Sequence, residues 1–413
     1  MERAELATIL RGVAAPSASW IQVAEADPQK FMAAFANAVA GDADVFLCDS
    51  QWGENEKRQL AALMDAPPAP PNSNPAPHSS GRFAWLMIPT GGSGGRLKFV
   101  RHDQHTIAAA VRGFTEHFGL SRVNAMGVLP LHHVSGFMAW MRCALTGGEY
   151  RHLDWKGIEQ GTLPELPPKP DGWVLSLVPT QLERLLRSAP ARQWLQQFRI
   201  IFLGGGPAWL ELLEHAAALR LPLSLGYGMT ETAAMITALR PEEFLAGARS
   251  SGRALPHAQI KLTKDGTIMV MGRSVFRGYY PETRVEEDFL TTDLGRLDYK
   301  GHLHITGRSD DVIITGGEKV NPAEVEAVLR NQGGLAEVVV VGVPDAEWGQ
   351  IVVAAYPASS RPNQAKLAEL TAQLAPAKRP KHFLPLESWP LTSAGKVNRA
   401  EVARLVAARP AGS

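Results

Sequence analysis

Cysteine is scarce in this chain. Cys48 and Cys143 are the only two among 413 residues, and they have no metal-ligand spacing. That excludes a disulfide framework and points to a reducing compartment, the cytosol. Charge of one sign is missing too: 42 Lys and Arg face 41 Asp and Glu, a formal net charge of +1. So balanced a chain gives no sign of a nucleic-acid or anionic-membrane partner, apart from a local basic cluster near the C-terminus. No apolar run reaches the roughly 18 residues that span a bilayer. The first ten residues carry Glu2, Arg3 and Glu5 where a secretory signal would have an apolar core. Internal repeats are absent, and nothing in the sequence sets an oligomeric state. The expectation is a soluble, cytoplasmic protein without a membrane span.

What is present suits a large core. Hydrophobic residues make up 45% and charged residues 20%. The length exceeds one ordinary domain. Residues 31–39 read as an amphipathic helix and 45–48 as a short buried strand. Residues 66–80 hold six prolines among small polar residues, the composition of a linker or surface loop. From 83 to 309, apolar runs at 85–88, 125–129, 173–177, 200–203 and 223–225 alternate with helical patterns such as 180–188 and 208–219. This is the signature of an α/β class, parallel strands joined by crossover helices. Residues 256–306 alternate around Gly and Asp turns, as in a small antiparallel β unit. Beyond 307, a helix at 325–329, strands at 337–343 and 351–356, and a helix at 364–374 predict a small α+β domain. The expected division is 1–309 and 310–413.

Several segments carry chemistry. Residues 88–98 place Thr90, Gly91, Gly92, Ser93, Gly94, Gly95, Arg96 and Lys98 after a buried strand. Glycine lets backbone N–H groups approach phosphate, and the cations offset its charge. The Walker A ending is missing, and alone the stretch is equally a flexible glycine loop. Residues 129–136 end a strand on His132 and His133, where α/β sheets bind ligands; alone, the two histidines only cap the strand. A strand also runs into Gly204, Gly205 and Gly206. The stretch Tyr227, Gly228, Met229, Thr230, Glu231, Thr232 offers a carboxylate for Mg²⁺ held against phosphate, or opens a helix. Asp293 lies in a Thr-Asp-Leu-Gly stretch that alone reads as a turn. Arg308, Asp310 and Asp311 follow, then Gly316 and Gly317. A glycine-borne Lys396 near the end suits a phosphate or carboxylate clamp.

Taken in order, these pieces over roughly residues 85–400 resemble the adenylate-forming superfamily of acyl-CoA synthetases, nonribosomal adenylation domains and luciferases. The resemblance implies a mobile C-terminal domain, Mg²⁺, and ATP and coenzyme A as co-substrates of a small-molecule carboxylic acid. It also implies that residues 90–98 form the phosphate loop and that Glu231 is the Mg²⁺-linked acid. Residues 204–206, Tyr227 and the following Gly228–Thr230 wall the adenine side, while Asp293 and Arg308 contact ribose. Asp310 is the hinge and Lys396 the lysine bridging carboxylate and phosphate. Gly316 and Gly317 line the pantetheine path, and His133 gates the acyl pocket. The phosphate loop departs from the usual pattern, with Gly91 and Gly94 where hydroxyl residues are customary. Residues 129–142 and 228–237 are similar to the 2-succinylbenzoate–CoA ligases of menaquinone and phylloquinone synthesis. On that likeness Phe137, Met229, Met235 and Ile236 are expected as apolar pocket walls and Thr232 and Thr237 as hydroxyl donors, and Arg142 is either the partner of the non-reacting carboxylate or a surface cation paired with an acid. The alternatives are another acyl- or aryl-CoA ligase, an adenylation enzyme that loads a carrier protein, and a degenerate nucleotide-binding protein.

Overall fold

A computed structural model describes residues 1–13, 18–65, 84–91, 97–333, 335, 337–360, 362–392 and 397–408. The proline-rich stretch 66–80 lies outside them, as do Gly92–Arg96 and Lys396.

The chain opens on a four-stranded sheet. Trp20–Val23, Asp44–Leu47 and Leu86–Gly91 run parallel, and Leu97–His102 closes the edge antiparallel. A seven-stranded sheet follows, in the order Arg253–Ala254, Ala234–Ala238, Leu223–Met229, Ile200–Leu203, Val174–Leu177, Ala125–Gly127, Tyr150–His152. Its members from Leu223–Met229 to Tyr150–His152 are parallel. The continuous apolar runs expected of them arise because parallel strands are covered on both faces.

The helices Gln104–Phe118 and Val134–Thr146 lie between the two sheets. Ile107, Val111, Phe137, Trp140 and Met141 pack with Phe35, Trp85 and Ile88 of the first layer. Phe114 and Cys143 pack with Val174, Ile200 and Phe202 of the second. A helix buried on two sides must be apolar nearly all round, as Val134–Thr146 is, whereas Gln104–Phe118 keeps His105, Arg112 and Glu116 exposed. Fully burying one such ring contributes about 1.5–3 kcal/mol. Asp103 starts the first helix by accepting from the N–H groups of His105 (2.9 Å) and Thr106 (2.8 Å). Gly119 and Gly147 end the two helices with φ of 61° and 69°.

Residues 256–308 form the expected antiparallel unit, with strands Ala258–Leu262, Thr267–Gly272, Asp288–Leu297 and Leu303–Arg308. The Asp293 stretch is not a turn. It lies within the third of these strands, with a register shift between Leu294 and Gly295. The last part carries the hairpin Ile313–Thr315/Glu318–Val320, the helices Pro322–Gly333 and Gln364–Gln373, a three-stranded sheet and the helix Arg399–Ala407. Among the described residues no helix is long and apolar enough to cross a membrane.

Candidate active site

The strand expected at 223–225 continues to Met229, because Ala234–Ala238 folds back along it as an antiparallel neighbour. Gly228 makes that approach possible: a Cβ there would sit 1.9 Å from the carbonyl oxygen of Ala234. Thr230–Thr232 is a single 3-10 turn, so these residues do not open an α-helix. The reversal places Ala233 and Ala234 at φ of 50° and 73°, a left-handed pair that side-chain-bearing residues rarely adopt. Thr232 locks the turn. Its Oγ1 accepts from the Met229 N–H (3.0 Å) and donates to the Ala234 carbonyl (2.7 Å).

His102 supports the same turn from the first sheet. Its Nε2 lies 2.7 Å from the Thr230 carbonyl and its Nδ1 3.0 Å from Thr106 Oγ1. A carbonyl only accepts, so Nε2 carries the proton. Complete burial lowers the ring's pKa to about 4 and keeps it neutral. His102 has no motif of its own and was not expected.

Glu231 projects from the turn. Its Oε1 accepts a 2.7 Å hydrogen bond from Tyr279. Burial raises its pKa, against the opposing pull of that hydroxyl. Lys98 Nζ stands 5.5 Å from the centroid of the Tyr279 ring. Lys98 pairs with Thr90 across the hairpin whose strands flank residues 92–96. A cation, a carboxylate and the stem of the glycine-rich segment therefore converge. No group of three or more His, Cys, Asp or Glu side chains suited to a metal occurs among the described residues. The hard carboxylate of Glu231 is of the kind that would hold a Mg²⁺, which would supply neutralisation of phosphate charge.

On the other flank, Tyr227 donates to Asp293 Oδ2 at 2.6 Å. Arg308 lies 3.4 Å from Asp293 Oδ1 and 2.7 Å from Thr292 Oγ1. It also grips Asp310 with both prongs of its fork, at 2.8 and 2.7 Å. That grip, more than Asp293, raises the pKa of Arg308 and lowers that of Asp310. The residue expected at the ribose and the residue expected at the hinge are thus tied together. Gly204–Gly206 follow the neighbouring strand Ile200–Leu203, with Gly204 facing the Gly226 carbonyl.

The acyl side departs from several expectations. Phe137 is fully buried, edge-to-face with Phe35 at 5.0 Å. It fills the core beneath the first sheet. The Thr232 hydroxyl is committed within its own turn. That of Thr237 donates to the Ser251 carbonyl at 2.8 Å. Neither proton is free for a substrate. Ile236 packs in the core with Val100, Ile268 and Phe276. Met235 stays half-buried beside Phe114 and over Gly226. His133 precedes the helix Val134–Thr146, its ring 4.3 Å from that of His132, which lies 3.5 Å from Asp49. Arg142 is not on the surface and meets no acid among the described residues. It is 6% exposed, its guanidinium lies 4.0 Å over the Phe114 ring, and its Nε has no hydrogen-bond partner among the described residues. Burial lowers its pKa to about 10, which leaves it charged at neutral pH.

Gly316 and Gly317 form the exposed two-residue turn of the hairpin Ile313–Thr315/Glu318–Val320, with φ of 56° and 84°. Both values suit the turn type that favours consecutive glycines. Leu391 and Val397, on either side of residues 393–396, form an isolated antiparallel bridge. Arg399 then reaches Asp311 (3.3 Å) and the buried Glu326 (2.7 Å).

Residues 10–280 match the family model described as AMP-binding enzyme, and residues 324–396 match the AMP-binding enzyme C-terminal domain. The chain belongs to the AMP-binding enzymes. Among members of this family, the 2-succinylbenzoate–CoA ligase of Listeria monocytogenes serotype 4b (strain F2365) is 35% identical over 281 residues, 66% of this chain and 59% of that protein. The ligase of the same name from Enterococcus faecalis (strain ATCC 700802 / V583) is 32% identical over 325 residues, 75% and 67% of the two chains. This AMP-binding enzyme thus spans about 59% of the length of its Listeria relative. Its fold is that of o-succinylbenzoate CoA synthetase from Bacillus subtilis in complex with the acyl-adenylate intermediate OSB-AMP: TM-score 0.73, 23% identity, 97% of this chain and 91% of that one covered. ATP-bound MatB from Rhodopseudomonas palustris gives a TM-score of 0.69 at 24% identity, covering 99% and 82%.

Proposed function

We propose that this AMP-binding enzyme ligates 2-succinylbenzoate to coenzyme A in menaquinone or phylloquinone synthesis, consuming ATP and releasing AMP and pyrophosphate. The observation that carries the substrate assignment is Arg142. A buried guanidinium without an acid is costly, and a substrate with a second, non-reacting carboxylate supplies one. The ligase name borne by relatives at 32–35% identity supports the same reading.

The chemical difficulty is that a carboxylate is a poor electrophile. The succinyl carboxylate attacks the α-phosphorus of ATP, the bond to the β-phosphate oxygen breaks, and pyrophosphate leaves. The thiol of coenzyme A then attacks the acyl carbon of the adenylate, loses its proton, and AMP departs. Bringing two anions together is the main cost, and the enzyme meets it with placed charges. Lys98 and the backbone of residues 90–98 neutralise phosphate, and Lys396 bridges carboxylate and phosphate. Glu231 would hold Mg²⁺, which when bound supplies further neutralisation of phosphate charge. Gly204–Gly206 and Tyr227 wall the adenine, Asp293 and Arg308 meet the ribose, and His133 gates the acyl pocket. Residues 1–309 and 310–413 are the two units. They pivot at Asp310 so that Lys396 withdraws and the Gly316–Gly317 turn enters for the thioester step. The two buried, unpaired cysteines fit a cytoplasmic enzyme.

The test is AMP release and thiol consumption with a panel of acids. 2-Succinylbenzoate is expected to exceed 4-oxo-4-phenylbutanoate, which lacks only the ring carboxylate, by more than tenfold in kcat/KM. Medium-chain fatty acids reacting as well as the dicarboxylate would remove the substrate assignment.

A further inference from the structure

The helix Gln104–Phe118 contains Gly113 in its interior, where glycine costs about 0.5–1 kcal/mol relative to alanine. The reason is His257. A Cβ on Gly113 would stand 1.8 Å from Nδ1 of that ring, so the imidazole rests directly on the helix backbone. One residue further, the Phe114 ring carries the Arg142 guanidinium at 4.0 Å. Two consecutive helix positions thus seat two polar side chains from distant parts of the chain. His257 is 5% exposed, and neither of its ring nitrogens has a hydrogen-bond partner among the described residues; Nε of Arg142 has none either. Leaving a buried polar group unsatisfied costs about 1–3 kcal/mol, and here three such atoms share one place. After burial, the charge of Arg142 is the largest cause that lowers the His257 pKa to about 4, an independent sign of closeness. Met235, three residues beyond the turn Thr230–Thr232 that bears Glu231, and Leu255 belong to the same apolar cluster as Phe114.

We propose that His257 is a specificity-determining residue that completes a two-armed receptor for the non-reacting carboxylate: Nε–H of Arg142 takes one oxygen and the imidazole N–H the other. The proposal rests on the substrate reading above. A neutral imidazole supplies a directed donor without a second buried charge. The Gly113 surface fixes how deep it sits, and so how far the aromatic ring enters.

The experiment compares the parent enzyme with His257→Leu and His257→Gln, using 2-succinylbenzoate and 4-oxo-4-phenylbutanoate as alternative substrates. His257→Leu is expected to raise KM for the dicarboxylate about 10–100-fold with kcat changed less than threefold, and to leave kcat/KM for the monocarboxylate unchanged. His257→Gln, which keeps an N–H donor, is expected to recover at least part of the affinity. Equal losses on both acids would show a purely structural residue and overturn the inference. So would an unchanged KM for the dicarboxylate in an active His257→Leu enzyme. A parent enzyme inert on 2-succinylbenzoate overturns the substrate reading as well, and is recognised before any variant is made.

Discussion

Tyr279 touches two charges that the sequence holds far apart: its hydroxyl bonds Glu231 and its ring face lies under Lys98. Burial alone pushes the Glu231 carboxyl up; the phenol opposes this and also aims the carboxylate. A hydrogen bond to a charged group is worth about 1.5–3 kcal/mol. Tyr279→Phe is therefore expected to raise KM for MgATP about tenfold or more while leaving KM for the acid nearly unchanged. Initial-rate kinetics with each substrate varied in turn checks this, and a selective rise in the acid's KM would contradict it. Glu231 stood out in the sequence because its neighbours form a contiguous motif. Tyr279 and His102 did not, because each acts on the turn from 48 and 128 residues away. His257 left a trace only in Gly113, a helix-interior glycine whose partner ring comes from another layer.

Element by element, legibility followed periodicity. Strands buried on both faces announced themselves as apolar runs, and the antiparallel unit by its alternation. Leu97–His102 was missed because Lys98 and Arg101 break its apolar run. Arg101 is accommodated by donating to the carbonyls of Ala84 and Pro281. The Asp293 strand was missed because Gly and Asp ordinarily mark turns. The hairpin turn at Gly316–Gly317 was visible as a glycine pair, and its geometry makes its proposed role testable. Position 317 has φ of 84° with open space around it. A leucine there meets no clash but suffers left-handed strain of about 1–2 kcal/mol and places an isobutyl group on the exposed turn. Gly317→Leu is expected to slow thioester formation from supplied acyl-adenylate more than tenfold, with ATP–pyrophosphate exchange kept within about threefold. Unchanged thioester formation would remove the turn from the pantetheine path.

For the whole molecule, His102 and His257 act together on stability. Both rings have their pKa lowered by burial from 6.5 to about 4. Between those values the unfolded chain binds more protons than the native one, so stability rises with pH through the window. The contribution is complete above about pH 6.5 and is lost as pH falls toward 4, by up to about 3 kcal/mol per ring. The urea midpoint is expected to be flat from pH 8 to 7 and to drop clearly by pH 5. His102→Gln should show a smaller drop; a midpoint constant down to pH 5 would contradict this account.

The backfolding of Ala234–Ala238 onto Leu223–Met229 has a consequence for how the chain assembles. The parallel neighbours of that strand can pair only after a helical crossover has formed, and such non-local closures are slow. The hairpin needs only the Thr230–Ala233 reversal, and isolated hairpins close in about 1–10 μs. The turn that presents Glu231 is therefore expected to take shape early, before the parallel strands of its sheet have paired.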